Sequence, residues 1–234
     1  MARYTLIVGT RNWSSWSLRP FMALKATGVA FETVDIRLRQ TEAPTTREQI
    51  LQHSPAGKVP VLKIVEGKET LTVWDSLAIC ETIAERHPEA GLWPDDAAAR
   101  AIARSYSCEM HSGFPDVRSQ LSMEFARKVP LPELREDTRT QVARILDAWS
   151  EALSTYNGDF LFGRFSVADC MYAPVVSRFD TYGVEVPAPV RAYMDRMMAL
   201  PGMIAWGRMA QKEVDAGLTT LATVMRAERT KKRN

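Results

Sequence analysis

The chain of 234 residues is 46% hydrophobic and 25% charged, with a formal net charge of +2, the balance of a soluble globular protein of one large or two modest domains. It has no run of about 18 apolar residues, its charges of both signs are interspersed, and its start, MARYTLIVG, lacks a long apolar region and a small-residue cleavage site. A membrane span, a nucleic-acid partner and a secretory signal are therefore not expected.

The three cysteines, Cys80, Cys108 and Cys170, form no C-x-x-C pair, which predicts buried, reduced thiols and a cytoplasmic location. The three histidines, His53, His87 and His111, have no metal-ligand spacing, so no metal site is expected.

YTLIVG (4–9) reads as a short buried strand. The polar stretch RNWSSWSLRP (11–20) then leads into a helix, with Leu18, Phe21, Met22 and Leu24 at helical spacing and Gly28 as its C-terminal stop. Pro20 is expected in the first turn, where its missing N–H does no harm, which sets the start near Ser15 to Ser17. FETVDI (31–36) alternates as a strand, and the polar segment 37–53 reads as an irregular or partly helical connection. VPVLKI (59–64) and LTVW (71–74) flank the turn signal EGKE and predict a hairpin. Asp75 and Ser76 then open a helix, LAICETIAERH, that Pro88 and Gly91 end. The order β-α-β, then β-β-α, requires a right-handed crossover and an antiparallel extension of the sheet.

LWPDDAAAR (92–100) enters a second half without strand patterning. Helices are expected near 95–125, 132–156, 166–181, 187–199 and 201–215, with Gly113 and Pro115 bending or interrupting the first. The expected organisation is a mixed domain over 1–88, a linker over 89–94, an all-helical domain over 95–225 and a disordered basic tail over 226–234.

Three places can carry chemistry. Ser14, Ser15 and Ser17 stand at a helix start, where a hydroxyl either caps the helix or, with the helix dipole, stabilises an anion such as a thiolate. Lowering a thiol pKa by about two units corresponds to roughly 2.7 kcal/mol, within reach of one charge-assisted hydrogen bond and a helix end. A serine nucleophile is disfavoured, since there is no G-x-S-x-G elbow and no histidine placed as a base. In SPAGKVPVLK (54–63), Pro60 indicates either an edge strand or a cis Val59–Pro60 bond that presents the Val59 peptide groups for strand addition. Asp75-Ser76 is either a plain N-cap or a receptor for a carboxylate.

The order of these segments resembles the cytosolic glutathione transferases over nearly the whole chain. SSWSLRPFMAL (14–24) is similar to the serine-type signature of the zeta class, PAGKVPVLK to the family's cis-proline segment, and DSLAICETIAER to its acidic-plus-serine helix. FSVADCMYAPVV (165–176), with Ser166 and Asp169 at capping-box spacing, resembles the family's buried folding motif. The resemblance implies an α/β thioredoxin-like N-terminal domain followed by an all-α domain, with glutathione as co-substrate, a small hydrophobic electrophile and a homodimer.

On that resemblance Ser14 and Ser15 are the catalytic candidates, Ser14 hydrogen-bonding the glutathione sulfur. Trp16 and Ser17 complete the helix-end site, Val59 and Pro60 pair with the cysteinyl unit, Asp75 and Ser76 hold the γ-glutamyl end, and Lys58 reaches a carboxylate. Trp13, Met110, His111 and Phe114 are candidates for the electrophile pocket. Trp16 stands where the zeta motif has cysteine, which weakens the case for maleylacetoacetate isomerisation and cysteine-based transfer but leaves serine-assisted thiolate formation intact. The alternatives are a glutathione-dependent isomerase or peroxidase, and a non-catalytic interaction protein of the stringent-starvation type.

Overall fold

The computed structural model describes residues 2–217, so residues 218–225 of the expected helical domain and the basic tail over 226–234 lie outside the described residues. The first half runs β1 (Arg3–Gly9), α1 (Ser15–Thr27), β2 (Phe31–Ile36), α2 (Thr46–Leu51), β3 (Val61–Glu66), β4 (Glu69–Trp74) and α3 (Ser76–Arg86). The sheet order is β2-β1-β3-β4, with β1 parallel to β2 and the remaining pairs antiparallel. This is the thioredoxin-like topology that the resemblance implied, with the antiparallel extension that the element order required.

β1 is apolar on both faces, which requires a central position with both faces covered. Leu6 and Val8 join Leu62 and Ile64 in the larger core beneath α1 and α3. Ile7 points the other way, with Ile36, Val61 and Ile50 of α2. Gly28 closes α1 in the left-handed region at φ 71°, as expected. Pro20 departs from expectation: it is the sixth residue of α1, not a member of its first turn. It removes the helical partner of the Trp16 carbonyl, a break that packing must offset. Leu18, Phe21, Met22, Ala23 and Leu24 are all buried around it.

The second half contains α4 (Ala97–Ser112), α5 (Pro115–Gln120), α6 (Glu136–Tyr156), α7 (Val167–Tyr182), α8 (Ala188–Ala199) and α9 (Pro201–Asp215). The stretch near 95–125 is interrupted rather than bent, at Gly113 and Pro115 where the sequence placed a bend or break. Phe114 takes a left-handed φ of 57° and Pro115 begins α5 at its first position. The segment before α6, with Pro130 and Pro132, stays non-helical, so α6 starts at Glu136 rather than near 132.

α7 is the axis of this half. It packs on α1, α4 and α8, and Trp149 of α6 meets Tyr172, Phe179 and Tyr193 at centroid distances of 5.5, 5.6 and 5.3 Å. One hydrophobic core therefore runs through both halves. The expected linker is strapped down at three points. Leu92 is buried and its carbonyl accepts from Val167 N–H at 2.8 Å. Trp93 Nε1 donates to Glu81 at 3.0 Å, and the Arg164 guanidinium bonds the Trp93 carbonyl at 2.9 Å and both Asp95 carboxylate oxygens. Cys80 and Cys170 are buried as expected, whereas Cys108 on α4 is exposed. Its turn of α4 belongs to the polar face of an amphipathic helix.

The capping box at the start of α7 is complete and sealed. The Asp169 carboxylate accepts from Ser166 N–H at 2.8 Å, Ser166 Oγ at 2.9 Å and Leu161 N–H at 3.2 Å. Burial is the largest influence on this carboxyl and raises its pKa from 3.8 to about 6. An acid with a raised folded-state pKa contributes stability that is fully present below the unfolded value and lost as pH rises through the folded one. The wild type is thus expected to lose about 2 kcal/mol relative to Asp169→Asn between pH 4 and pH 7, measured by urea unfolding of both proteins across that range.

Candidate active site

Where the N-terminal end of α1, the segment before β3, the β4–α3 junction and α4 meet, they leave a cleft of about 400 Å³. Trp16 forms one wall, Ala56, Lys58, Val59 and Pro60 a second, Trp74, Asp75 and Ser76 a third, and His111 closes the α4 side. The Val59–Pro60 peptide is cis, which resolves the choice left open by the sequence. Among the described residues neither the N–H nor the C=O of Val59 is hydrogen-bonded, so both are available to a peptide laid alongside.

At the β4–α3 junction Asp75 adopts φ 76° and ψ 137°, a conformation that a non-glycine residue holds only at a cost of about 1–3 kcal/mol. Its Oδ1 accepts from Leu77 N–H at 2.9 Å and Ala78 N–H at 3.3 Å, while Oδ2 lies 2.8 Å from His111 Nε2. Asp75 is therefore an N-cap and also a cross-domain tie. The next residue, Ser76, is only 1% exposed and its hydroxyl has no partner. A buried hydroxyl without a partner at the lining of a cleft is a binding group waiting for an acceptor or donor.

At the mouth of α1 the serines do different things. Ser14 holds the N-cap position without making a capping bond. Its hydroxyl instead donates to Ser17 Oγ at 2.8 Å, and the same oxygen accepts from Gly9 N–H at 3.1 Å. No group among the described residues hydrogen-bonds the Ser15 hydroxyl. Ser14, Ser15 and Ser17 are buried and none of them lines the cleft, whereas their neighbour Trp16 does.

Trp16 is held by cations. The guanidinium groups of Arg19 and Arg118 lie 4.2 and 4.4 Å from its ring centroid, and the His111 ring meets it edge-on at 5.3 Å. The arginines are bonded to main-chain carbonyls. Arg19 Nε donates to Met171 O at 3.1 Å, Arg118 Nη2 to Met110 O and His111 O at 2.8 Å, and Arg178 Nε to Leu121 O at 2.8 Å. No carboxylate forms an ion pair with any of the three among the described residues, and Arg19 Nη1 is buried without a partner. Burial, then the repulsion of Arg118 and Arg178, pushes the Arg19 pKa well down. Burial first, and Arg118 second, lowers that of Arg178 to about 10. Two of these guanidinium groups, Arg19 and Arg118, thus stand against the Trp16 wall of the cleft without a carboxylate partner, although neither lines the cleft itself.

The structure brings Trp16, Lys58, Val59, Pro60, Asp75, Ser76 and His111 together around one cleft, whereas Ser14, Ser15 and Ser17 are buried and do not line it. The electrophile-pocket candidates divide. His111 lines the cleft, whereas Met110 is fully buried in the core, Phe114 is nearly so, and Trp13 is half-buried with an enclosed, unpartnered Nε1. Ala56, Trp74, Arg118 and Arg178 were missed. Trp74 was legible as the residue that ends a strand immediately before Asp75. The arginines were not, because only the packing of α1, α5 and α7 assembles them. Among the described residues no cluster of potential metal ligands is present and no helix is long and apolar enough to cross a membrane.

Residues 13–86 match the N-terminal domain of glutathione S-transferase, and residues 132–206 match its C-terminal domain. The chain is 28% identical over 198 residues to a probable maleylacetoacetate isomerase of Caenorhabditis elegans, covering 83% of this chain and 88% of the relative. It is 26% identical over 173 residues to glutathione S-transferase omega-1 of Rattus norvegicus, covering 74% and 66%. A crystal structure of maleylacetoacetate isomerase from Anaeromyxobacter dehalogenans, with glutathione bound in its active site, superposes with a TM-score of 0.63 at 26% identity, over 88% of this chain and 94% of that one.

Because Asp75 caps α3 and also ties it to α4, Asp75→Ala is expected to lower stability by about 1–2 kcal/mol. His111→Ala, which breaks only a partly exposed pair, is expected to cost less than about 1 kcal/mol. Thermal denaturation of the two variants beside the wild type checks the order.

Proposed function

The chain belongs to the glutathione S-transferase family, and from that premise we propose that it ionises the thiol of glutathione at the mouth of α1 and passes the thiolate to a small apolar electrophile. It is a glutathione-using enzyme, with glutathione as its co-substrate. The observation that carries the site assignment is the convergence on one cleft of unpaired Val59 peptide groups and an orphaned Ser76 hydroxyl. These are the complements of an extended peptide and of a terminal carboxylate.

In this reading the cysteinyl unit pairs with the Val59 main chain. The γ-glutamyl carboxylate takes the Ser76 hydroxyl, its ammonium faces Asp75, and Lys58 meets the other end of the tripeptide. The sulfur then lies toward the serines. Ser15 can donate without giving up a bond, whereas Ser14 donates by turning its O–H away from Ser17. Catalysis follows from a lowered thiol pKa and from proximity, with no covalent enzyme intermediate. A homodimer and a cytoplasmic location belong to the same proposal. Unpaired cysteines and the apolar side chains exposed at Leu71 and Trp74 on the edge strand β4 are in keeping with them.

Ser14→Ala and Ser15→Ala, each titrated for the ultraviolet absorbance of bound thiolate, test the mechanism. Loss of the serine that bonds the sulfur is expected to raise the thiol pKa by about one to two units, with a roughly tenfold to hundredfold fall in kcat at neutral pH. Unchanged titrations in both variants remove serine from the chemistry. Failure of the wild type to bind glutathione by calorimetry would instead favour a non-catalytic interaction protein.

A second reading, glutathione-dependent isomerisation, is favoured by the arginines. Guanidinium groups stacked on the Trp16 wall of the cleft without carboxylate partners favour a co-substrate that brings its own carboxylate. Assays with an isomerisable diene-dione carboxylate, a neutral aryl halide and a hydroperoxide separate isomerase, transferase and peroxidase. The isomerase reading requires that Arg118→Met raise KM for the carboxylate at least about tenfold while leaving that of the neutral electrophile unchanged.

A further inference from the structure

The loop between β1 and α1 is anchored from the far end of the chain. Glu213 on α9 places its two carboxylate oxygens on consecutive main-chain N–H groups, Arg11 at 3.0 Å and Asn12 at 3.1 Å. Two adjacent N–H groups turned to one side make a small anion-binding concavity, and here the anion is a side chain of the protein itself. Trp206, two turns earlier on α9, donates from Nε1 to the Arg11 carbonyl at 2.9 Å. Asn12 is fully buried and bonded on its other side as well. Its amide donates to Glu124 at 3.0 Å and accepts from Ala126 N–H at 2.9 Å, and its carbonyl accepts from Phe125 N–H at 3.0 Å.

From this anchor the chain reaches the serines with little freedom. The Thr10 carbonyl accepts from Trp13 N–H at 3.1 Å and from Ser14 N–H at 2.8 Å, so residues 10–14 form one closed turn. No glycine lies between Asn12 and Ser14 to absorb a displacement. The side chains facing the Glu213 carboxylate are Arg11, whose guanidinium reaches Asp35 at 2.6 Å and Thr33 at 2.8 Å, and Asp35 itself. Arg11 also lies over the Trp206 ring, 5.1 Å from its centroid, which fixes the loop against α9 by a second route.

We propose that Glu213 is a positioning residue for thiol ionisation, its carboxylate setting the place of Ser14 and Ser15 through the Arg11–Asn12 peptide groups; this rests on the glutathione reading above. A hydroxyl that stabilises a thiolate works only within a few tenths of an ångström of its place, so a loosened anchor weakens the chemistry more than the binding. The tripeptide's contacts at Val59 and Ser76 lie on other segments and are untouched by Glu213.

The test uses the full chain, with glutathione and a chlorodinitrobenzene as substrates. Glu213→Gln is expected to raise the pKa of the bound thiol by about one unit and to lower kcat at neutral pH by up to about tenfold, with KM for glutathione within about twofold. Glu213→Asp, which keeps the charge on a shorter arm, is expected to give a smaller shift in the same direction. Ala210→Gly loosens the same helix one turn away without touching the loop and is expected to leave the thiol pKa in place. An unchanged thiol pKa in both Glu213 variants, or an equal shift in Ala210→Gly, overturns the proposal while leaving the glutathione reading standing. A wild type that binds glutathione without lowering its thiol pKa overturns thiol activation and this proposal together, whereas one that does not bind it overturns the whole site assignment.

Discussion

The burial of α1 on every side is the constraint from which the architecture follows. Its residues from Ser17 to Leu24 are all buried, with the sheet and α3 on one flank and α7 and α9 on the other. A helix so enclosed has no solvent face to slide along, so its N-terminal mouth stands at a fixed height between the halves. It also explains why α1 tolerates Pro20. The carbonyl left without a partner costs less than unpacking a helix that forms part of two cores. The cleft is therefore a product of both halves, even though nearly all the chemistry-bearing residues belong to the first.

Charge gives the site its asymmetry. The cleft lining holds the Val59 peptide groups and the Ser76 hydroxyl together with one ammonium, Lys58, and one capping carboxylate, Asp75. Against the Trp16 wall, the guanidinium groups of Arg19 on α1 and Arg118 on α5, and that of Arg178 on α7, are satisfied by peptide carbonyls, which neutralise hydrogen bonds without neutralising charge. Trp16 spreads over two of those cations and supplies a flat wall between the charge and the cleft. A cysteine here would leave the cations without that ring. The replacement thus changes the electrostatics of the cleft as well as its thiol chemistry.

The fold was largely legible because its signals are local. β1, β2 and the hairpin announce themselves by apolar runs and turn residues, and Gly28 and the Ser166–Asp169 box mark helix ends that the structure reproduces. What failed was local too: the phase of Pro20 within α1 depends on where Ser14 begins the helix. The interruption at Gly113 and Pro115 was legible, but the left-handed backbone of Phe114 that makes it was not. The site was legible to the extent that it is built from short motifs, such as Val59-Pro60 and Asp75-Ser76. Its long-range half was not: neither the His111–Asp75 tie nor the arginines around Trp16 leave any trace in residue spacing, since each joins segments that only tertiary packing makes neighbours.

The strap over residues 92–95 bears on how a ligand enters. A connection whose Leu92 carbonyl is taken by α7, whose Trp93 is tied to α3 and whose Asp95 is held by Arg164 has no free torsion about which the halves could swing apart. The strap thereby opposes hinge opening, and admission to the cleft falls to rotamer changes at its rim, where Trp74 is 46% exposed and His111 is partly so. Entry gated by side-chain hops on the nanosecond scale is far faster than turnover, so it leaves the chemistry or product release to set the rate.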